Sequence, residues 1–162
     1  MHNHAPPGYI CPLCAIARGR APESEMFTPA DVLYQDAGVL ALMGAFQWPN
    51  NPGNVVVIPC EHFENIYDLP LRLASRIHDL SRGIALAMKA AWRCDGVSTR
   101  QHNEPAGNQD TWHYHQHVTP RYDADNFYAT YVGGKTLMPP GERAEYAGQL
   151  RLQLQGWTPA DA

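Results

Sequence analysis

His113-Tyr114-His115-Gln116-His117-Val118-Thr119-Pro120-Arg121 is the stretch from which the rest of the chain is read. Side chains of an extended strand alternate faces, so His113, His115 and His117 are expected on one face, with Tyr114, Gln116 and Val118 on the other. One face is therefore predicted to be chemical. A neutral imidazole is among the few side-chain nucleophiles available near neutral pH without prior activation, because its ordinary pKa is about 6.5. A chance cluster among the eight histidines, or a tag remnant, is the competing reading. His2 and His4 lie in a Pro-containing tail expected to fray, and His78 lies in a predicted helix where solvent exposure is the default.

The 162 residues suffice for one domain with a substantial core, and 44% hydrophobic with 17% charged residues is ordinary globular composition. A formal net charge of −4 offers no basic field for duplex nucleic acid, so a polyphosphate ligand must be held by local donors. No apolar run reaches the roughly 18 residues of a membrane span, and the first residues lack a secretory pattern. A cytoplasmic protein with no membrane partner is expected. In that compartment, four cysteines argue for metal binding or free thiols before disulfides.

Working outward from the histidines, residues 1–8 read as a disordered tail, and Cys11 to Ala17 as a turn running into a short helix that Gly19 to Pro22 breaks. Asp31 to Gln35 and Val39 to Met43 form a predicted hairpin. Gly44 to Asn54, with two prolines and three asparagines, reads as a loop, and the β-branched run Val55 to Ile58 as the buried central strand. From Pro70 to Trp92, Leu73, Ile77, Leu80, Ile84 and Met88 trace the stripe of one long helix, with Asp68 as its cap and Pro70 in its first turn. Gly96 to Arg100 and His113 to Thr119 complete the sheet, with Pro120 expected to stop the ladder. Residues 123–162 read as a C-terminal extension: an aromatic stretch Phe127 to Tyr131, a Gly133-Gly134 break, and a helix from Pro139-Pro140 to Gln155. The extension is expected to pack on the main body or on a partner subunit.

The histidine spacing, followed by two further residues and Pro-Arg, resembles the signature of the histidine-triad (HIT) superfamily of nucleotide hydrolases and transferases. Gly53 to Leu69, with its buried strand and Pro59-x-x-His62 turn, resembles another of the family's segments. Arg100 to Gln109 is similar to its Asn/Gly/Gln-bearing loop, and Cys11-Pro12-Leu13-Cys14 to its metal half-site. These motifs occur in the family's order across residues 9–121. The resemblance implies an α+β fold: a five-stranded antiparallel sheet, one long helix and a short N-terminal helix in a HIT domain over 9–122, followed by the extension and its terminal helix. It also implies a homodimer.

Cys11-x-x-Cys14 is by itself a zinc half-site, with free thiols or a redox pair as alternatives. In zinc-bearing members of the family two histidines complete the tetrahedron, which here implies His62 and His113. A closed Cys₂His₂ set leaves no open position, so the zinc is expected to be structural, with no catalytic cofactor. Cys60 and Cys94 read as packing residues.

The resemblance makes His115 the nucleophile that attacks the α-phosphorus of a nucleotide or dinucleotide polyphosphate, or of a nucleoside phosphoramidate. His117 and Gln109 are implied as catalytic donors, and Asn103, Gly107 and Asn108 as phosphate contacts. Phe46-Gln47-Trp48-Pro49 stands where many relatives carry a ribose-binding acid, and Trp48 or Phe46 is expected to stack on the base. Asp110 stands where relatives often have Ser or Thr, and would repel substrate unless it meets a cation such as Arg121. Two other functions are consistent with the same residues: a nucleotide-binding or signalling module with little turnover, and a hydrolytic centre in which all three triad histidines hold a metal.

Overall fold

The structure, a computed structural model, describes residues 2–20, 26–131 and 133–160. The expected Pro22 break lies outside them. In chain order the elements are α1 (Pro12–Ala17), β1 (Val32–Gln35), β2 (Val39–Met43), β3 (Phe46–Gln47), β4 (Val55–Pro59), α2 (Leu71–Trp92), β5 (Gly96–Gln101), β6 (Gln116–Arg121), α3 (Phe127–Thr130), β7 (Thr136–Leu137) and α4 (Pro140–Gln153). Five strands form an antiparallel sheet in the order β1-β2-β4-β6-β5, which places the β-branched run of β4 at its centre as expected. No helix among the described residues is long and apolar enough to cross a membrane.

Every residue of β2 and β4 is buried, because both faces of the sheet are covered. Ala41, Met43, Val55 and Val57 pack with Leu73, Ile77, Leu80, Ile84 and Met88 of α2 and with Leu150 of α4. Leu40, Leu42, Val56 and Ile58 point the other way, onto Leu13 and Ile16 of α1 and onto Phe27. A fully buried aliphatic side chain contributes about 1.5–3 kcal/mol relative to leaving it exposed, so this doubly covered pair of strands dominates the core. His117 lies opposite Val56 in the β4/β6 ladder and therefore faces the α1 side, whereas Gln116 donates to Ser81 of α2. The even-numbered residues of the triad segment thus face the long helix.

Four local expectations are corrected. The strand begins at Gln116 instead of His113; ahead of it the backbone of Tyr114 donates to the Phe63 carbonyl, outside the ladder. Pro120 lies within β6, opposite Val97, and is tolerated because the β4 ladder has ended at Val55 and Val118, leaving this part of the strand paired on one side. Asp68 does not cap α2: the Pro70 carbonyl accepts from Leu73 and Ala74, and the N-cap has no side-chain bond. The loop after β2 contains β3, which pairs with β7 of the extension. Gln47 staples that loop, donating to the Gly44 and Asn54 carbonyls and accepting from the Gly53 and Asn54 amides. Gly53 sits at φ +105 with the Trp92 ring so close that a Cβ would fall 2.5 Å from it.

The N-terminal tail, expected to be disordered, lies against the body. The amides of His4 and Ala5 donate to the Glu64 carboxylate, and Asn65 donates to Asn3. The extension is anchored at both ends. Arg143 of α4 forms a fully buried two-pronged ion pair with Asp31, ahead of β1. Asp125 accepts from Arg121, Asn51 and the amides of Tyr122 and Phe127, which turns the chain from β6 into α3.

The Arg121 guanidinium, with the other donors around it, holds the Asp125 carboxyl well below the usual carboxylate range despite its burial. A depressed folded pKa contributes stability that is fully present above the unfolded value, near pH 4, and is lost as pH falls through the folded value. Asp125→Ala is expected to lower unfolding free energy at neutral pH by about 2–4 kcal/mol in urea melts. Asp125→Asn should flatten the fall of melting temperature below about pH 4; a slope identical to wild type would reject this role.

Candidate active site and metal centre

Four predicted metal ligands come together although they are far apart in sequence. One ligand atom from each of Cys11, Cys14, His62 and His113 lies within 4.8 Å of every other. Cys11 precedes α1, whose first turn brings Cys14 back beside it, and the Cys14 amide donates to the Cys11 sulfur. His62 follows β4 and His113 precedes β6, so neighbouring strand ends supply the two rings. The His113 ring donates from Nε2 to the Pro59 carbonyl at 3.0 Å, and a carbonyl can only accept. Its Nδ1 is therefore the bare nitrogen, 3.3 Å from Cys11 Sγ and 3.4 Å from Cys14 Sγ, and His62 Nδ1 is 3.2 Å from Cys14 Sγ.

These separations suit one ion. Ligands at zinc–sulfur and zinc–nitrogen bond lengths of about 2.3 and 2.0 Å in a tetrahedron lie roughly 3.3–3.8 Å from one another. The Cys11 thiol is pulled down by the hydrogen bond from Cys14 and by His113, while Cys14 is pushed up by the same partner and by burial. Binding a dication would require both sulfurs as thiolates, so any thiol proton would be released. Of the triad histidines only His113 joins this set, which removes the three-histidine metal centre.

His115 is buried with its Nδ1 2.7 Å from the His113 carbonyl, so Nδ1 carries the hydrogen and Nε2 keeps its lone pair. Burial lowers its pKa, which favours the neutral ring. The His117 ring stands 5.1 Å from it at 81°, and its pKa is lowered strongly, by burial first and then by the neighbouring His115 and Arg100. Both rings line a cavity of about 200 Å³ with Leu13, Phe27, Phe46 and Val56.

Other expected contacts fall differently. Gln109 lines an adjoining cavity, but its amide donates to the carbonyls of Glu64 and Thr111 and its oxygen accepts from the Glu104 amide, so it braces the loop with no donor left for phosphate. Asn103 lines neither cavity; it is paired with Gln101 and the Ile66 amide. The Gly107 carbonyl accepts from His102, and Asn108 lines the adjoining cavity at φ +66. Trp48 borders both cavities, yet it is 4% exposed and stacked at 9° on Tyr131, which occupies the face a base would need. Phe46 is 38% exposed and lines the first cavity, with the Lys135 ammonium 5.3 Å from its ring centre. Asp110 does meet a cation, but it is Lys135 at 2.8 Å; Arg121 is taken by Asp125.

Residues that sequence reasoning missed cluster beside His117. Arg100 stands opposite His117 in the β5/β6 ladder, its guanidinium 4.3–5.1 Å from the rings of Tyr131, Phe127 and Trp48 and without a hydrogen-bond acceptor. Tyr131 bonds its hydroxyl to His102 Nε2 at 2.8 Å. The aromatic run before Gly133-Gly134 was the visible signal, and the strand register would have been needed to place Arg100.

The chain belongs to the HIT family: the HIT-domain model matches residues 23–124. It is similar to protein hit of Bacillus subtilis, 31% identical over 112 residues, covering 69% of this chain and 71% of that protein. The Zn-bound histidine triad family protein from Mycobacterium smegmatis superposes with TM-score 0.70 at 26% identity, covering 90% and 94% of the two chains. The AP-4-A phosphorylase of Mycobacterium tuberculosis is 24% identical over 126 residues, 74% of this chain and 65% of that one.

Metal analysis of the purified protein is expected to find close to one zinc per chain, retained in His115→Ala and lost in Cys14→Ser and His62→Ala. Equal loss in His115→Ala would overturn the assignment of ligands.

Proposed function

We propose that this chain is a nucleotide hydrolase or nucleotidyl transferase in which His115 forms a covalent nucleotidyl intermediate. The carrying observation is the bond from His115 Nδ1 to the His113 carbonyl, which leaves the Nε2 lone pair beside a cavity. In the first step this lone pair bonds to the α-phosphorus while the bond from phosphorus to the bridging oxygen breaks. The electron pair of that bond leaves with the departing group. In the second step water, or phosphate as the name of the mycobacterial relative suggests, adds to phosphorus; the P–N bond breaks and its electrons return to Nε2. With water as acceptor, a proton passes to solvent.

Charge in such a transfer spreads over the non-bridging oxygens, so neutral donors in fixed positions stabilise it. A neutral His117 supplies one such donor at the cavity wall. The apolar lining of Leu13, Phe27, Phe46 and Val56 suits a nucleobase. Gln47, spent on stapling its loop, offers no ribose contact of the acidic kind. The cluster of Cys11, Cys14, His62 and His113 would hold zinc as a structural tie between the N-terminal segment and two strand ends, with no part in the transfer. Homodimerisation through the edge strand β5 is part of this reading.

A panel of adenylyl and guanylyl conjugates, quenched and analysed by mass, is expected to give an acid-labile nucleotide adduct on the peptide containing His115. His115→Ala should abolish the adduct and lower turnover about a thousandfold or more, and His117→Ala should lower it about 10²–10⁴-fold. Tight nucleotide binding with neither adduct nor turnover would favour the binding-module reading instead.

A further inference from the structure

Two cavities meet at His117. One, of about 200 Å³, is the slot lined by Leu13, Phe27, Phe46 and Val56; the other, of about 310 Å³, is lined by His102, Asn108, Gln109 and Tyr131. Asp110 and Lys135 border both, and the Lys135 ammonium donates to Asp110 at 2.8 Å along this shared wall. An in-line displacement needs room on both sides of phosphorus, with the nucleophile opposite the departing group. His115 lines only the first cavity, and the second, joined to it at His117, offers room for a departing group.

We propose that this second chamber is a subsite for an anionic departing group. Its cation is Lys135, so the preferred substrates are nucleotide conjugates whose leaving half is a phosphate chain. This rests on the nucleotidyl-transfer reading above. Lys135 belongs to the extension, beyond the residues 23–124 that the HIT-domain model matches, so the subsite draws its cation from outside that match.

Lys135 is carried on a built support. On one side Tyr131 is stacked on Trp48, faces the Arg100 guanidinium at 4.3 Å and is bonded to His102. On the other, the next two residues form β7, Leu137 paired with Phe46 and Thr136 with Gln47. The ammonium is also 5.3 Å from the centre of the Phe46 ring. Asp110 then holds the ammonium in place when no anion is bound, and yields it to the stronger charge of a phosphate chain. A neutral amine leaving group gains nothing from Lys135. Asp110, unpaired, would repel the very anion that Lys135 attracts, which explains why a carboxylate at this position requires the extension.

The test uses the full chain and inorganic tripolyphosphate as probe, with binding measured by calorimetry in a His115→Ala background so that turnover is not needed. Lys135→Ala is expected to weaken binding about tenfold or more, Lys135→Arg to retain most of it, and Asp110→Asn to tighten it. Unchanged affinity in Lys135→Ala, or no binding at all, overturns the subsite. In the His115-containing protein, the loss of kcat/KM caused by Lys135→Ala should be about tenfold larger for a dinucleotide polyphosphate than for a nucleoside phosphoramidate of the same base. Equal losses on both overturn it, since a merely structural lysine affects both alike. Lys135-dependent tripolyphosphate binding in a chain that yields neither adduct nor turnover would sustain the subsite and reject the transfer reading.

Discussion

Residue 113 is the constraint on which the site depends. Its ring is fixed by the bond from Nε2 to the Pro59 carbonyl, which commits Nδ1 to the two sulfurs, while its own carbonyl accepts from Nδ1 of His115. One residue therefore sets two tautomers. The Cys₂His₂ cluster and the His115 ring are coupled through a backbone of two residues, so an error in placing the first ring would reach the second. Burial makes the arrangement costly to leave unsatisfied, because an imidazole hydrogen in an apolar surround must find an acceptor.

A second anchor lies on the far strand. Arg100 projects from β5 beside His117 and finds aromatic faces instead of an acceptor, so its charge is stabilised by three rings that belong partly to the loop after β2 and partly to the extension. The extension is thereby docked at the site as well as through the buried Asp31–Arg143 pair. A buried pair of this kind contributes little net stability against an apolar alternative, but it penalises any other seating of α4. Together the two contacts fix both ends of the segment that carries Lys135.

The elements legible in the sequence were those whose signal is local. The period of Leu73, Ile77, Leu80, Ile84 and Met88, the β-branched run of β4, and the hairpin of Asp31 to Gln35 with Val39 to Met43 each state their own conformation. The convergence of Cys11, Cys14, His62 and His113 was legible through the family's motif order, because a metal tetrahedron tolerates few residue types. What was lost depends on distant partners. Nothing near Gln109 or Asn103 reveals that backbone amides and carbonyls will consume their side chains. Trp48 reads as an exposed aromatic until Tyr131, more than 80 positions later, covers its face. Lys135 has no periodic context, and Arg100 acquires meaning only once Arg100 and His117 are paired across the ladder.

The same field explains two features that otherwise look unrelated. Arg100, Lys135 and the neighbouring imidazoles all disfavour a charged His117, adding to the larger effect of its burial. They would equally favour an anion entering the space between them. A transfer centre needs both at once: rings that stay neutral enough to offer lone pairs and N–H donors, and a positive surround that draws a polyanion against a chain whose formal net charge is −4. Placing the cations on β5 and on the extension, outside the segment that carries the triad, lets the histidines remain uncharged while a positive charge that would attract an anion is supplied from the side.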